Sequence, residues 1–112
     1  MSHVTQLWKS HNAHLVDFAA VNRAALRLLP SLVQEWFPGG KRIGSEYAAL
    51  NPHRGDRHPG SFLVNVRNGR WSDFASGERG GDVISLAAFR FGVRQIDAAK
   101  LLGTMLGVDW RR

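Results

Sequence analysis

The strongest constraint on the fold is a β-hairpin signal in the second half of the chain. Residues 61–66 alternate in polarity, which would place their Phe and two Val side chains on one face of a strand. Asn68-Gly69 follows, and this dipeptide favours a two-residue turn in which both residues have positive φ. The sequence therefore predicts an antiparallel hairpin. The residue pairs that this turn predicts are Val66 with Trp71 and Val64 with Asp73.

Helix signals lie on both sides of the hairpin. Aspartate caps predict helices that begin after Asp17 and after Asp82. Pro30 predicts a second short helix, through Trp36, because proline suits the first turn of a helix. A last helix is predicted over residues 95–106. Gly92 and Gly107 are the predicted ends of the two C-terminal helices.

These elements predict the α+β class, with a small antiparallel sheet flanked by N-terminal and C-terminal helices. A further strand is predicted over Ile43–Ala49. The length of 112 residues fits one compact domain, which we assign to residues 15–112. Residues 1–14 are polar, and we expect them to form a flexible arm.

Composition narrows the classes of partner. The chain has no Cys, which excludes disulfides and thiolate metal sites and agrees with the cytoplasmic location that we expect. No apolar run approaches the ~20 residues of a membrane span, so we expect no membrane partner. The 15 Lys and Arg exceed the 9 Asp and Glu, and the resulting formal charge of +6 favours nucleic acid as the partner.

Four segments occur in order between Phe37 and Gly107. They are Asn51-Pro52-His53-Arg54, Pro59-Gly60-Ser61-Phe62, Trp71-Ser72-Asp73-Phe74-Ala75-Ser76-Gly77 and Gly80-Gly81-Asp82-Val83-Ile84-Ser85-Leu86. In this order they resemble the N-terminal zinc-ribbon domain of DNA primases from bacteria, phages, plasmids and other mobile elements. That family has Cys-Pro-x-His, Thr-Pro-Ser-Phe, an aromatic-rich Cys-x-x-Cys and a Gly-Gly-Asp helix start at the corresponding places. The resemblance implies a zinc-ribbon-like sheet in a replication protein.

The four zinc ligands of the family fall on Asn51, Arg54, Asp73 and Ser76 of this chain. Structural zinc needs thiolates and neutral imidazoles, and a guanidinium cannot bind a cation. We therefore expect a degenerate form without zinc, without any other metal and without a cofactor. Because the former ligand positions should be close in space, we expect a salt bridge between Arg54 and Asp73. Asn51 and Ser76 should add hydrogen bonds to it.

Two other segments have residues typical of ligand sites. His53, Asp56 and His58 lie close in sequence, but their spacing matches no recognised metal motif, and a polar loop is the better interpretation. The Gly-rich turn before Asp82 could bind phosphate. It lacks the Gly-Lys-Ser/Thr ending of a nucleotide loop, and Asp82 would itself occupy the helix amides, so we interpret it as a structural turn.

The candidate nucleic-acid-binding residues are mostly cations in the β-rich half of the chain. They are Lys41, Arg42, Arg54, Arg57, Arg67, Arg70, Trp71 and Arg79. Aromatic residues including Phe62 and Phe74 lie between them, and single strands bind to surfaces that combine cations with stacking platforms. Trp71 is equally consistent with a core position and with a partly exposed platform. Arg27, Arg90 and Arg94 are expected to be solvated helix residues.

No catalytic constellation is present in the sequence, since no serine is placed with a His–Asp pair. We therefore expect a non-catalytic DNA-binding domain of a primase-type replication protein, which contacts single-stranded template. The alternative is a protein-interaction module that docks a primase, polymerase or helicase through apolar helix residues. The residues proposed for that docking are Trp36, Phe37 and Trp110.

Overall fold

A computed structural model of the chain describes residues 15–112, and the arm expected over residues 1–14 lies outside the described residues. The predicted α+β class is confirmed: a five-stranded antiparallel sheet is preceded by one helix and followed by two. The elements are α1 (Phe18–Trp36), β1 (Lys41–Ile43), β2 (Glu46–Ala49), β3 (Phe62–Asn65), β4 (Trp71–Asp73), β5 (Arg79–Gly80), α2 (Val83–Phe91) and α3 (Gln95–Leu106).

Helix α1 begins at its predicted cap but does not break at Pro30. The Asp17 carboxylate accepts a hydrogen bond of 3.0 Å from the Ala20 N–H, and the helix continues through Pro30 to Trp36. The predicted second helix is therefore wrong. A proline inside a helix costs about 3 kcal/mol, whereas each large apolar side chain that becomes buried contributes about 1.5–3 kcal/mol. The buried face that continues across Pro30 consists of Val21, Ala25, Leu29, Leu32, Val33 and Trp36.

Consecutive strands pair throughout the sheet, in the order β1-β2-β3-β4-β5. The strand predicted over Ile43–Ala49 is confirmed only over Glu46–Ala49, which is β2, because the chain reverses at residues 44–45 after β1. Gly44 makes this turn possible, since its φ of 62° is one that other residues rarely adopt. Strand β5, which pairs with β4, was not predicted.

The predicted hairpin forms between β3 and β4, but its register differs from the prediction by two residues. Val64 pairs with Trp71, and Phe62 pairs with Asp73. The predicted pairs of Val66 with Trp71 and of Val64 with Asp73 are therefore wrong. Because side chains alternate with a period of two, a shift of two residues leaves every side chain on its expected face.

The shift follows from a loop that is longer than two residues. The Asn65 side-chain oxygen accepts hydrogen bonds from the N–H groups of Arg67, at 2.9 Å, and of Asn68, at 3.1 Å. Only Gly69 has positive φ in this loop, so the two-residue turn, which needs two such residues, does not form. The N–H of Val66 leaves the β3–β4 ladder and donates to the Ser45 carbonyl at 2.8 Å.

One face of the sheet, here called the inner face, packs against the helices through aromatic side chains. The centroid of the Phe62 ring lies 5.0 Å from that of Phe37 and 5.5 Å from that of Phe89 of α2, and both contacts are edge-to-face. Trp71 lies 4.9 Å from Phe89, and its indole N–H donates to the Ser85 hydroxyl at 2.9 Å. These contacts make the inner face of the sheet and α2 parts of one core.

Side chains also join the ends of helices to one another. The Asp82 cap and Ser85 form a reciprocal capping box at the start of α2. Asn22 of α1 extends this cap, because its oxygen accepts from the Ile84 N–H at 3.0 Å and its NH₂ group donates to Asp82 at 3.2 Å. At the other end of α1, Nε of Arg90 donates a hydrogen bond of 2.7 Å to the main-chain carbonyl of Trp36. Arg90, which we expected to be solvated, is therefore a half-buried capping residue.

The two ends of the described chain meet. Val16 and Arg111 form an antiparallel bridge, and the Arg112 N–H donates to the Leu15 carbonyl at 2.8 Å. Trp110 packs on Gly103 of α3, where a larger residue would collide with the indole. This closure leaves no long unpaired segment at either end of residues 15–112.

The contact between α1 and the start of α2 gives a stability prediction. Asn22→Ala should lower the free energy of unfolding by about 1–2 kcal/mol, because the Ile84 N–H and Asp82 both lose a partner. Arg23→Ala is the matched control: the same helix receives the same new residue at an exposed position, where a change within about 0.5 kcal/mol is expected. Urea denaturation of both variants measures the difference. Equal stabilities would show that the Asn22 contact contributes nothing.

Candidate nucleic-acid interface

The loop after β2 meets the end of β4 around a buried carboxylate. Asp73 is only 1% exposed and Asn51 only 3%. Arg54 Nη1 lies 2.5 Å from Asp73 Oδ2, and Asn51 Nδ2 lies 2.6 Å from the same oxygen. The predicted salt bridge is confirmed. Three of the four positions that the resemblance assigns to former zinc ligands thus form one polar cluster.

Arg54 is committed to this cluster by four hydrogen bonds. Besides its contact with Asp73, the guanidinium donates to both oxygens of Asp56, at 2.8 and 2.7 Å, and to the Ser61 hydroxyl at 2.8 Å. Two carboxylates neutralise its charge. The phosphate contact predicted for Arg54 is therefore not supported by its geometry, because such a contact would have to displace these partners.

Ser76 and His53 lie in other environments than the sequence suggested. The expected bond from Ser76 to the cluster is wrong: its hydroxyl accepts from the Glu78 N–H, at 3.3 Å, within its own turn. Ser61 contacts Arg54 instead. The His53 ring packs edge-on against Phe89 at 4.8 Å, with Nε2 2.7 Å from the Phe89 carbonyl oxygen, so it anchors the loop to α2. Within residues 15–112, no three His, Cys, Asp or Glu side chains form a group suited to a metal ion.

The environment of Asp73 keeps it ionised. Burial alone would raise its pKa, but hydrogen bonds from Arg54, Asn51 and the Ala75 N–H outweigh that effect and lower the pKa from its ordinary 3.8 to about 2. The pKa of Arg54 is raised in turn, by its bonds to Asp56 first and to Asp73 second. The cluster therefore stays charged and paired at neutral pH.

The outer face of the sheet is not covered by a helix, and cations lie at its edges. The cross-strand register aligns Lys41, Ala48, Leu63, Ser72 and Arg79 in one row across all five strands. Lys41 and Arg79, at the two ends of this row, are exposed. Along the same face runs an open groove of about 730 Å³. Its lining includes Glu46, Asn65, Arg70, Ser72, Phe74 and Arg79.

Phe74 and Trp71 have opposite environments. Both residues line the groove, but Phe74 is 73% exposed, whereas Trp71 is only 6% exposed and packs in the core. The structure thus resolves the two alternatives for Trp71 in favour of the core, and a base cannot stack on its face. Phe74 is absent from our predicted site, although the sequence offered a signal. It lies three residues after Trp71, and this odd spacing on an extended strand places it on the opposite face.

The remaining predicted cations are divided between the groove, two loops and strand β1. Arg70 lines the groove. Arg67 is exposed in the β3–β4 loop, and Arg57 is exposed in the loop between β2 and β3. Arg42 stands opposite Tyr47, a residue of the inner face, and its Nε donates to the Gly44 carbonyl at 2.9 Å. The groove therefore brings together only part of the predicted basic set.

The residues proposed for partner docking are mostly unavailable. Trp36 and Phe37 are 4% and 1% exposed, and Trp110 is half-buried against Gly103. The larger apolar side chains that α3 does expose are Leu101 and Met105, at 55% and 53%. Across the part of the chain that the structure describes, none of the helices has the length and apolar character needed to cross a membrane.

Comparison with known proteins adds no assignment. No protein-family model matches the chain, and no curated protein matches its sequence.

The buried carboxylate gives an acid-stability prediction. Because the folded pKa of Asp73 lies below the unfolded value, its stabilising contribution is present above about pH 4 and is lost as the pH falls to about 2. We expect a loss of about 1–2 kcal/mol over this window, a value reduced for the solvent contact of Arg54. Asp73→Asn should be less stable at pH 7 and should lose this part of the pH dependence. Asp109→Asn, at an exposed position, should keep it. Denaturation between pH 2 and 7 provides the comparison.

The polar cluster also predicts independence from metal. The purified protein should contain no stoichiometric zinc and should remain folded in excess chelator, because Arg54 and Asn51, at positions that the resemblance assigns to zinc ligands, bond to Asp73 instead. Elemental analysis and circular dichroism with and without chelator test this. About one zinc per chain, together with loss of structure on chelation, would contradict it.

Proposed function

We propose that this chain is a metal-free, non-catalytic DNA-binding domain of a primase-type replication protein, and that it binds single-stranded DNA on the outer face of its sheet. The observation that carries the proposal is the uncovered groove, which combines the cations Arg70 and Arg79 with the exposed ring of Phe74. Single-strand-binding surfaces pair a cationic groove with aromatic stacking in this way.

The exposed ring favours a single strand over a duplex. A base can stack on a side chain only where it is not already stacked and paired within a double helix. The Phe74 ring is 73% exposed, so such a base can reach it. Stacking on an unpaired base gives this position a function, and neighbouring phosphates would contact Arg70 and Arg79.

The primase setting rests on the sequence resemblance, and the polar cluster supports it. Arg54 and Asp73 come from two of the segments that carry the resemblance, and they meet as former ligand positions would. In that family, polymerising and helicase activities belong to other domains. The proposed partners are therefore single-stranded DNA and a linked or separate primase, polymerase or helicase, in a protein encoded by a phage, a plasmid or another mobile element.

Binding to single-stranded DNA should weaken with salt in a predictable way. Each phosphate neutralised contributes about −0.7 to the slope of log affinity against log salt concentration, so the two contacts of Arg70 and Arg79 should give about −1.4. Arg70→Ala or Arg79→Ala should each make the slope less steep by about 0.7. Phe74→Ala should weaken binding at every salt concentration, since stacking does not depend on counterion release. Fluorescence anisotropy with a labelled oligonucleotide measures both effects.

Arg27→Ala is the control for the arginine variants, because it removes the same charge from the exposed surface of α1. It should leave the slope unchanged. If the folded protein has no affinity for single strands even at low salt, the DNA-binding proposal fails. The docking function then becomes the better candidate, and its surface would be the exposed strip of Leu101 and Met105 on α3.

A further inference from the structure

The cationic groove contains a carboxylate. Among the described residues that line it, Glu46 is the only acidic one. It stands on β2 directly opposite Asn65, and the Asn65 N–H in turn donates to the Arg70 carbonyl at 2.7 Å. The Glu46 carboxylate and the proposed phosphate contact Arg70 are thus on the two sides of Asn65 in the sheet.

Asn65 fixes this carboxylate from one side. The side-chain oxygen of Asn65 is used by the β3–β4 loop, where it accepts from the N–H groups of Arg67 and Asn68. This arrangement orients the NH₂ group of Asn65 toward Glu46, where it donates to Oε1 at 3.3 Å. Glu46 is therefore held in place by a neutral donor, which leaves its negative charge uncompensated.

No cation neutralises Glu46 within the described part of the chain. It takes part in none of the ion pairs there, although Arg70 and Arg79 line the same groove. An unpaired carboxylate repels phosphate, so it weakens any site that binds the DNA backbone alone. It attracts N–H donors, and in an unpaired strand the donors that a base presents are those of its Watson–Crick edge.

We propose that Glu46 determines base specificity in this groove by accepting a hydrogen bond from the amino group on the Watson–Crick edge of an unpaired base. The inference rests on the proposed function. Cytosine presents such an amino group, and carboxylates accept from it in protein–DNA complexes. Thymine has a similar ring but presents a carbonyl oxygen at that position, which a carboxylate repels. The groove therefore favours cytosine over thymine.

Two pyrimidine homopolymers test the preference. Affinities for labelled oligo-dC and oligo-dT of equal length are measured at neutral pH and low salt for the wild type, Glu46→Gln and Glu35→Gln. The wild type should bind oligo-dC about fivefold or more tightly than oligo-dT. Glu46→Gln should remove this preference. Glu35→Gln makes the same change at an exposed position of α1, and it should retain the preference.

The measured quantity is the ratio of the two affinities, because removal of a negative charge strengthens binding to every oligonucleotide. If Glu46 acted only through its charge, both affinities would rise together and the ratio would not change, which would overturn the inference. Equal wild-type affinities for the two oligomers would also overturn it while the proposed function stands. If neither oligomer binds at low salt, the proposed function fails and the inference fails with it. Thermal unfolding of Glu46→Gln confirms that the variant is folded.

Discussion

A carboxylate withdrawn from water must be matched by donors, and the arrangement around Asp73 follows from this requirement. The side chains of Arg54 and Asn51 and the N–H of Ala75 all converge on it. These donors come from the loop after β2 and the turn after β4, so their bonds hold two separate segments together. Without these donors the buried carboxylate would strongly destabilise the fold. With them, it joins the end of the sheet to its longest loop.

The two faces of the sheet have different roles: the inner face packs in the core, and the outer face is open. Phe62 packs against Phe37 and Phe89, and Trp71 packs against Phe89, so this apolar contact secures the sheet to the helices. The aromatic residues of the inner face meet Phe37 and Phe89, whereas the groove along the outer face stays open. Side chains on that face can change without disturbing the core. A recognition surface on the outer face can therefore vary while the fold is kept.

Local signals predicted the helix caps, whereas competition between distant residues could not be read from the sequence. Asp17, Asp82, Gly92 and Gly107 act as expected, because capping depends on a few neighbouring residues. The helix boundary predicted at Pro30 is wrong, because only the packed fold shows how much apolar surface is buried on both sides of that residue. The hairpin register depends on hydrogen bonds that the Asn65 side chain accepts in the loop. The Asn-Gly signal alone does not include these bonds. At the site, the family resemblance located Arg54 and Asp73, but charge and residue type alone could not separate buried Trp71 from exposed Phe74.

The meeting of Leu15 with Arg112 has an architectural consequence. The polypeptide enters and leaves the described domain at neighbouring points, joined by main-chain hydrogen bonds from Arg112 to Leu15 and from Asp17 to Trp110. Such a unit can be spliced into a surface loop of a larger protein without stretching either flank, and its termini can be joined to create new ones elsewhere. The fold is thus suited to insertion, as one compact unit, into a longer chain.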